Sequence, residues 1–406
     1  MPSLARRLVL PQIYNLDAYV RSVRDLVLLE QQGCGEVILD FSGTDRAYPD
    51  GVAPLVATVM RLRKETGLAV TMEPPTNRAL RGVFEAVGWT RYLTAESPSF
   101  EPPPVFTGRF TPLCPFGSAL EVDRLHRSIM EVLVTQARLA TWLPEAIQWA
   151  LWEIMENVLI HAQVANGWVQ ASTFPKTRHI NIVVVDTGVG IRGSLSQRDP
   201  RMTDREAIRL AVEKGVTRDP AVGAGYGLAG CRQIVRLNKG EMIVYTGGWR
   251  LVQEALGRKE EDQLRYGPTQ AHHKGTIVEL ELRTDRPIDL AAALGQRRPT
   301  TLLELKHDTG SEFRFDVGLE ASNVGTREAG RELRNKVLNL SQSEAEERVV
   351  LDFRRVDMLS SSFADEFVAK LAQELGKKGF FDKFDLRGMN ASVKTIVHTA
   401  LWDRLK

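Results

Sequence analysis

Residues 152–162 read WEIMENVLIHA, residues 184–191 read VVDTGVGI and residues 223–230 read GAGYGLAG. In the first stretch Glu153, Asn157 and His161 recur every fourth residue, so a helix places them on one face. A carboxylate and an amide side by side can hold a divalent cation and orient a water. Magnesium takes oxygen ligands and keeps several waters, so one Asn oxygen plus phosphate oxygens suffices. In the second stretch Asp186 ends an apolar strand, and Gly188 and Gly190 follow it. A carboxylate at a buried strand end can accept a hydrogen bond from an exocyclic amine, and the glycines let backbone pass close to a planar ligand. In the third, Gly223, Gly225, Tyr226, Gly227 and Leu228 lead into a helical pattern that reaches about Leu237. Bare N–H groups and the positive end of a helix dipole favour phosphate there.

The surrounding pattern supplies the frame. Residues 118–139 have apolar spacing near the helical period, with Ser118 and Glu121 set for a capping box. Pro144 restarts a helix that runs to about His161, and strands follow at 168–174 and 180–186. A last strand, GTIVELEL at 275–282, places Thr276 after a glycine. The stretch 97–117 holds six prolines and reads as a linker, and 284–300 as a softer one. The domains expected are therefore 1–96, 118–283 and 301–406.

The outer domains resemble each other. VILDFSGTDRAYPDGVAPL (37–55) lies over VVLDFRRVDMLSSSFADEF (349–367) without a gap, matching Asp40 to Asp352, Phe41 to Phe353 and Asp45 to Asp357. Each reads as a buried strand, a turn and an amphipathic helix, at about 50–66 and 362–376. A strand feeding a helix in each points to small α/β domains with one helical layer.

Composition narrows the function classes. Of 406 residues 43% are apolar and 26% charged, which excludes a disordered or collagen-like chain. Net charge is +2, so direct nucleic-acid binding is not expected. No apolar run approaches the ~18 residues of a membrane span. The opening MPSLARRLVLPQIYN is too short in its apolar part, and too soon broken by proline, for a signal peptide. The three scattered cysteines fit a reducing cytoplasm.

On these motifs the segment 118–283 resembles the GHKL, or histidine-kinase-like, ATPase superfamily, and its His161-Ala162 ending is most similar to the anti-sigma-factor serine kinases. WEIMENVLIHA resembles the N box of that superfamily, VVDTGVGI its first glycine box and GAGYGLAG its second. The resemblance implies a central two-layer α/β sandwich (α+β) with a mixed sheet, binding ATP or ADP with magnesium. It implies Glu153 as general base, Asn157 as the magnesium ligand, Asp186 as the contact to the adenine amine and Thr276 as its water-mediated supplement. It implies a mobile lid at 191–222, whose polar composition suits a loop that orders on nucleotide. The serine kinases carry a basic residue just ahead of the second glycine box. Gly223 stands there in this chain, and Arg218 is the nearest basic candidate.

Segment 1–96 resembles the STAS domain of anti-anti-sigma factors, and 301–406 a STAS-like family of unknown function. The serine phosphorylated in such domains falls on Ser361 or Ser362 in the second copy and on Pro49 or Asp50 in the first. An aspartate at a helix start carries a charge like that of a phosphoserine, so the first copy reads as a constant module and the second as the switchable one. Together these resemblances imply a Mg-ATP-binding regulator of the partner-switching kind. Its partner would be a STAS-like, sigma-factor-like or other regulated protein, and the regulator itself a homodimer. The alternatives are an active serine kinase and a non-catalytic ATP/ADP sensor in a larger bacterial signalling or defence assembly.

Overall fold

In the computed structural model, which describes residues 5–94, 108–196, 199–213, 227–254, 264–294, 313–341 and 348–405, the chain forms two compact units. The first takes in Met1–Ile129 and Gln148–Arg283, the second Met130–Ile147 and Thr284–Lys406. The whole is α/β in class.

The first unit begins with β1 (Arg6–Val9), β2 (Ile13–Tyr14), α1 (Leu16–Gln31), β3 (Glu36–Asp40), β4 (Arg46–Ala47), α2 (Pro49–Thr66), β5 (Ala69–Glu73), α3 (Arg78–Ala86) and α4 (Trp89–Thr94). Strands β1, β3 and β5 form a parallel sheet in that order. Local chemistry sets the helix limits. The Asn15 side chain accepts the Ala18 N–H at the start of α1. Pro49 opens α2, where a missing N–H costs nothing, and Gly67 ends it at φ 72°.

Next come β6 (Cys114–Phe116), α5 (Ala119–Gln136), α6 (Leu143–His161), β7 (Gly167–Phe174), β8 (His179–Asp186), α7 (Gly190–Leu195), α8 (Asp204–Ala211), α9 (Gly227–Asn238), β9 (Glu241–Gln253) and β10 (Leu264–Arg283). The sheet order is β6-β7-β8-β10-β9. All four pairings are antiparallel, so the sheet expected to be mixed is antiparallel. Pro115 is tolerated because β6 is an edge strand. Half of the expected capping box forms: the Glu121 N–H donates to Ser118 Oγ at 3.3 Å, while the Glu121 carboxylate accepts the Gly117 N–H at 2.9 Å in place of that of Ser118.

Both faces of this sheet are apolar, and the pleat separates them. Val183, Val185, Trp168, Tyr245 and Ile277 share one core with the N-terminal elements, where α1 packs on β10 and α2 on β7 and β8. Ile182, Val184 and Leu280 alternate with them and are also buried. On that alternation the IVVV run at 182–185 is apolar on both faces because helices of the N-terminal segment cover the second one. The two-layer sandwich thereby gains a third layer.

The second unit holds α10 (Leu290–Leu294), β11 (Phe313–Asp316), α11 (Val317–Glu320), α12 (Arg327–Ser341), β12 (Val349–Asp352), α13 (Ser361–Ala364), α14 (Lys370–Lys383), β13 (Phe384–Arg387) and α15 (Ala391–Arg404). A π-helical turn at Asp365–Ala369 joins α13 to α14, and Gly376, at φ 71°, breaks the helical path where the sequence places the helix end. Residues 130–147 are anchored by α12. Buried Asn339 donates to the Val134 and Ala137 carbonyls and accepts the Leu139 N–H, each at 2.9 Å. It thereby satisfies groups that the end of α5 leaves without helical partners. Buried Lys336 is paired with Glu131 and Glu320.

The duplication read in the sequence has a structural counterpart. Strands β11, β12 and β13 are parallel and ordered as β1, β3 and β5 are. In both copies the strand-ending aspartate accepts the N–H two residues on, Ser42 to Asp40 at 2.9 Å and Arg354 to Asp352 at 3.0 Å. In both it also meets an arginine of the first strand, Arg7 at 2.7 Å and Arg314 at 3.5 Å.

The copies differ at the helix start. Ser360, not Ser361 or Ser362, is the N-cap of α13, accepting the Phe363 N–H at 3.0 Å. Ser361 and Ser362 are exposed. Asp50 does not display its charge as the phosphoserine comparison implies. It accepts the Leu16 N–H at 2.9 Å, and desolvation raises its pKa to about 6. Burial, with the Asp50 charge second, raises Glu279 on β10 well above the carboxylate range.

A carboxyl with a raised native pKa binds its proton more tightly folded than unfolded. Its ionisation therefore lowers stability as pH rises from about 4 to about 6. Asp50→Asn, which keeps an acceptor for Leu16, should match the wild type near pH 4 and melt higher than it above about pH 6. Thermal melts of both across that range check this.

Candidate nucleotide site

The site is assembled from the end of β8, the second half of α6, the start of α9 and the bend in β10. Asp186 is the last residue of β8 and is 4% exposed. Its Oδ1 accepts the Gly188 N–H at 2.8 Å, and the Thr276 N–H and hydroxyl lie near enough to favour its charged form. Desolvation outweighs these bonds and raises the carboxyl to about 6. Asp186 is thus a buried acceptor held by the loop that follows it, with Thr276 of β10 beside it.

The glycines make close approach possible. A Cβ on Gly188 would lie 2.0 Å from the Ala162 carbonyl oxygen, and the Val189 N–H bonds that same carbonyl at 3.0 Å. The end of α6, with His161 half-buried in its last turn, is thereby fixed against the loop after Asp186. Gly190 has φ 68°, and a Cβ there would lie 2.8 Å from Thr246 Oγ1. The Thr246 hydroxyl donates to the Gly275 carbonyl at 3.0 Å and accepts the Ile191 N–H at 3.1 Å, tying the loop after β8 to β9 and β10.

In the middle of α6 and one turn further on, Glu153 and Asn157 are half-buried on one face. A Cβ on Gly227, the first residue of α9, would lie 2.8 Å from Glu153 Oε2 and 3.3 Å from Asn157 Nδ2. The start of α9 therefore sits as bare backbone beside the carboxylate and the amide, with Leu228 half-buried next to it. Glu153 and Ala162 are nine residues apart, or about 13 Å along the helix axis. One helix links a buried carboxyl that suits a purine amine to a helix N-terminus that suits phosphate. The residues present fit a nucleotide with magnesium, with Asn157 the candidate ligand. Among the described residues there is no cluster of three or more His, Cys, Asp or Glu to hold a metal unaided.

Arg218, Gly223, Gly225 and Tyr226 lie outside the described residues, as does part of the expected lid. The rest of 191–222 is not a plain polar loop, since it holds most of α7 and all of α8. The reason is local: Thr203 and Glu206 form a capping box, the Thr203 hydroxyl accepting the Glu206 N–H at 3.3 Å. Helix α8 packs on β9, where the Gly248 N–H donates to Asp204 at 3.3 Å. Two site residues, Thr246 and His273, escape a reading by motif. Thr246 lies opposite Thr276 across the β9–β10 pair, and only the register reveals it.

Residues 143–286 match the family model of histidine kinase-, DNA gyrase B-, and HSP90-like ATPases, and residues 329–394 that of a STAS-like domain of unknown function. The first match contains Glu153, Asn157, Asp186, Gly227 and Thr276. No curated protein is matched by the chain. The chain thus carries an ATPase domain of the histidine-kinase-like class, which implies nucleotide binding, typically with magnesium, and a C-terminal STAS-like domain. Among the described residues no helix is long and apolar enough to cross a membrane.

Gly188→Ala should force Ala162 and the loop apart, because the obstacle is backbone. A cost of roughly 1–3 kcal/mol is expected for such overpacking. The loss would be read as a lower melting temperature, with ATP binding weakened more than the melt alone explains.

Proposed function

We propose that this chain is a Mg-ATP-dependent regulator of the partner-switching kind, with an ATPase core similar to the anti-sigma-factor serine kinases between two STAS-like domains. The observation that carries this reading is the joint placement of Glu153, Asn157 and the bare Gly227 backbone along the second half of α6, with the loop after Asp186 packed on the end of the same helix at Ala162. Asp186 accepts a hydrogen bond from the adenine amine, with Thr276 beside it. The N–H groups at the start of α9 receive phosphate. Magnesium, held by Asn157 with phosphate oxygens, neutralises phosphate charge. Glu153 is the base that takes the proton from the attacking water or hydroxyl.

The STAS-like reading of the N-terminal segment is supported by the bonding it shares with the matched C-terminal domain at Asp40 and Asp352. A protein partner accords with the STAS-like resemblance, a homodimer with that to the serine kinases, and a cytoplasmic location with the three scattered cysteines. An active serine kinase is the second reading. It is favoured by Ser361 and Ser362, which stand exposed in the first turn of α13 while Ser360 does the capping.

The fate of γ-labelled phosphate separates these readings. Label released into solution marks an ATPase, label on protein a kinase, and label retained on bound ATP a sensor. Glu153→Ala should leave ATP binding intact and lower turnover by ~10²–10⁴-fold, the usual worth of a general base. Unchanged turnover would remove Glu153 from the chemistry.

Asp186→Ala should weaken ATP binding by ~1.5–3 kcal/mol, the worth of a hydrogen bond to a charged group. Because the Asp186 carboxyl titrates near 6, wild-type affinity should also fall as pH drops through that value, and the alanine variant should lose this component. Calorimetric titrations at several pH values measure both effects.

A further inference from the structure

Behind Asp186 lies a hydrogen-bonded chain that begins in the N-terminal segment. Tyr19 on α1 and Thr58 on α2 bond through their hydroxyls at 2.9 Å. The Tyr19 hydroxyl meets His273 Nδ1 at 2.7 Å, and His273 Nε2 meets the Asp186 carbonyl oxygen at 2.9 Å. All three side chains are buried, with at most 2% of any exposed.

Only one proton arrangement satisfies every member. A carbonyl only accepts, so Nε2 carries the imidazole proton and donates to Asp186. Burial holds His273 well below its usual range, to about 3, so the ring is neutral and Nδ1 is an acceptor. The Tyr19 hydroxyl therefore donates to Nδ1, and its oxygen accepts the Thr58 proton. Donation runs in one direction, from α2 through α1 to the backbone of Asp186.

The position of His273 gives the chain leverage. Register shifts in the β9–β10 pairing fall on both sides of it. Two residues on, Gly275 has φ 112°, and a Cβ there would lie 2.2 Å from the Asp186 carbonyl oxygen. Thr276, whose N–H and hydroxyl favour the charged Asp186 carboxyl, follows at once. The carbonyl of Asp186 and the bend that delivers Thr276 are thus both tied to one imidazole. Around the buried chain, the Lys274–Glu65 and Arg250–Asp17 ion pairs, each at 2.7 Å, also join the N-terminal helices to β9 and β10. These two are exposed and contribute little.

We propose that Tyr19 and His273 are positioning residues for the nucleotide site, so that the N-terminal domain completes the adenine pocket rather than merely adjoining it. This rests on Asp186 and Thr276 being the adenine contacts. Without the Tyr19 hydroxyl, His273 loses the donor that orients it, and Asp186 and Thr276 lose a common anchor. Selectivity between adenine and guanine then falls, because it depends on how sharply the acceptor is aimed at the exocyclic amine.

The test is calorimetric titration of the full chain with Mg-ATP and with Mg-GTP. Tyr19→Phe keeps the ring and removes only the hydroxyl. Leu26→Ala is the control, truncating a buried α1 side chain outside the chain of bonds. Tyr19→Phe is expected to lower ATP affinity about five- to tenfold, the effect of one hydrogen bond. It should leave weak GTP binding unchanged, so the ATP:GTP ratio falls. Thr58→Val should shift the ratio the same way by less, and Leu26→Ala should not shift it. If Tyr19→Phe keeps the wild-type ratio, or Leu26→Ala shifts it equally, the positioning role is overturned while the nucleotide site stands. If the wild type does not prefer ATP over GTP, the adenine reading itself is wrong and the inference goes with it.

Discussion

The burial of the second face of the antiparallel sheet by α1 and α2 is the constraint on which the first unit depends. Val183, Val185, Trp168, Tyr245 and Ile277 present an apolar surface that a sheet of this class must cover. The N-terminal helices cover it, so the N-terminal domain and the sheet share one core. Fully burying each such side chain is worth roughly 1.5–3 kcal/mol, far more than the exposed ion pairs at the rim. Polar groups can then be carried inside only where each has a partner. The bonds from Thr58 through Tyr19 and His273 to the Asp186 carbonyl meet that condition. Asp50 and Glu279 meet it less well, and desolvation raises both.

The two α/β domains show one scaffold put to different uses. The salt-bridged aspartate at the end of the middle strand is the same in both, since it satisfies the N–H groups of the turn that follows. What differs is the start of the next helix. In the N-terminal copy Asp50 is turned inward onto Leu16. In the C-terminal copy Ser360 caps the helix and leaves Ser361 and Ser362 exposed. At the matched position the second domain exposes two serines, and the first does not. The second unit also holds residues 130–147, through Asn339 at the end of α5.

Much of the site was legible in the chain. The four-residue spacing of Glu153, Asn157 and His161 could only become one helix face, and a strand ending in Asp-Thr-Gly could only present a buried carboxyl beside a tight loop. The helix at 204–211 was legible too, from the Thr203–Glu206 spacing, although the polar composition around it suggested a loop. The mixed sheet, implied by the family resemblance, was a misreading. Strands covered on both faces belong most often to parallel sheets. Here both faces are covered by another route, and the sheet is antiparallel.

Local spacing, capping and glycine placement determined which segments are helix or strand and which residues share a face, because those depend on neighbours a few positions away. The tertiary structure alone decided that Tyr19 meets His273 across 254 positions of sequence and that Asp50 faces inward. It also set Thr246 opposite Thr276 through the register of β9 on β10. These are contacts between distant segments. No periodicity encodes them, and they are fixed only when the two apolar faces close on each other.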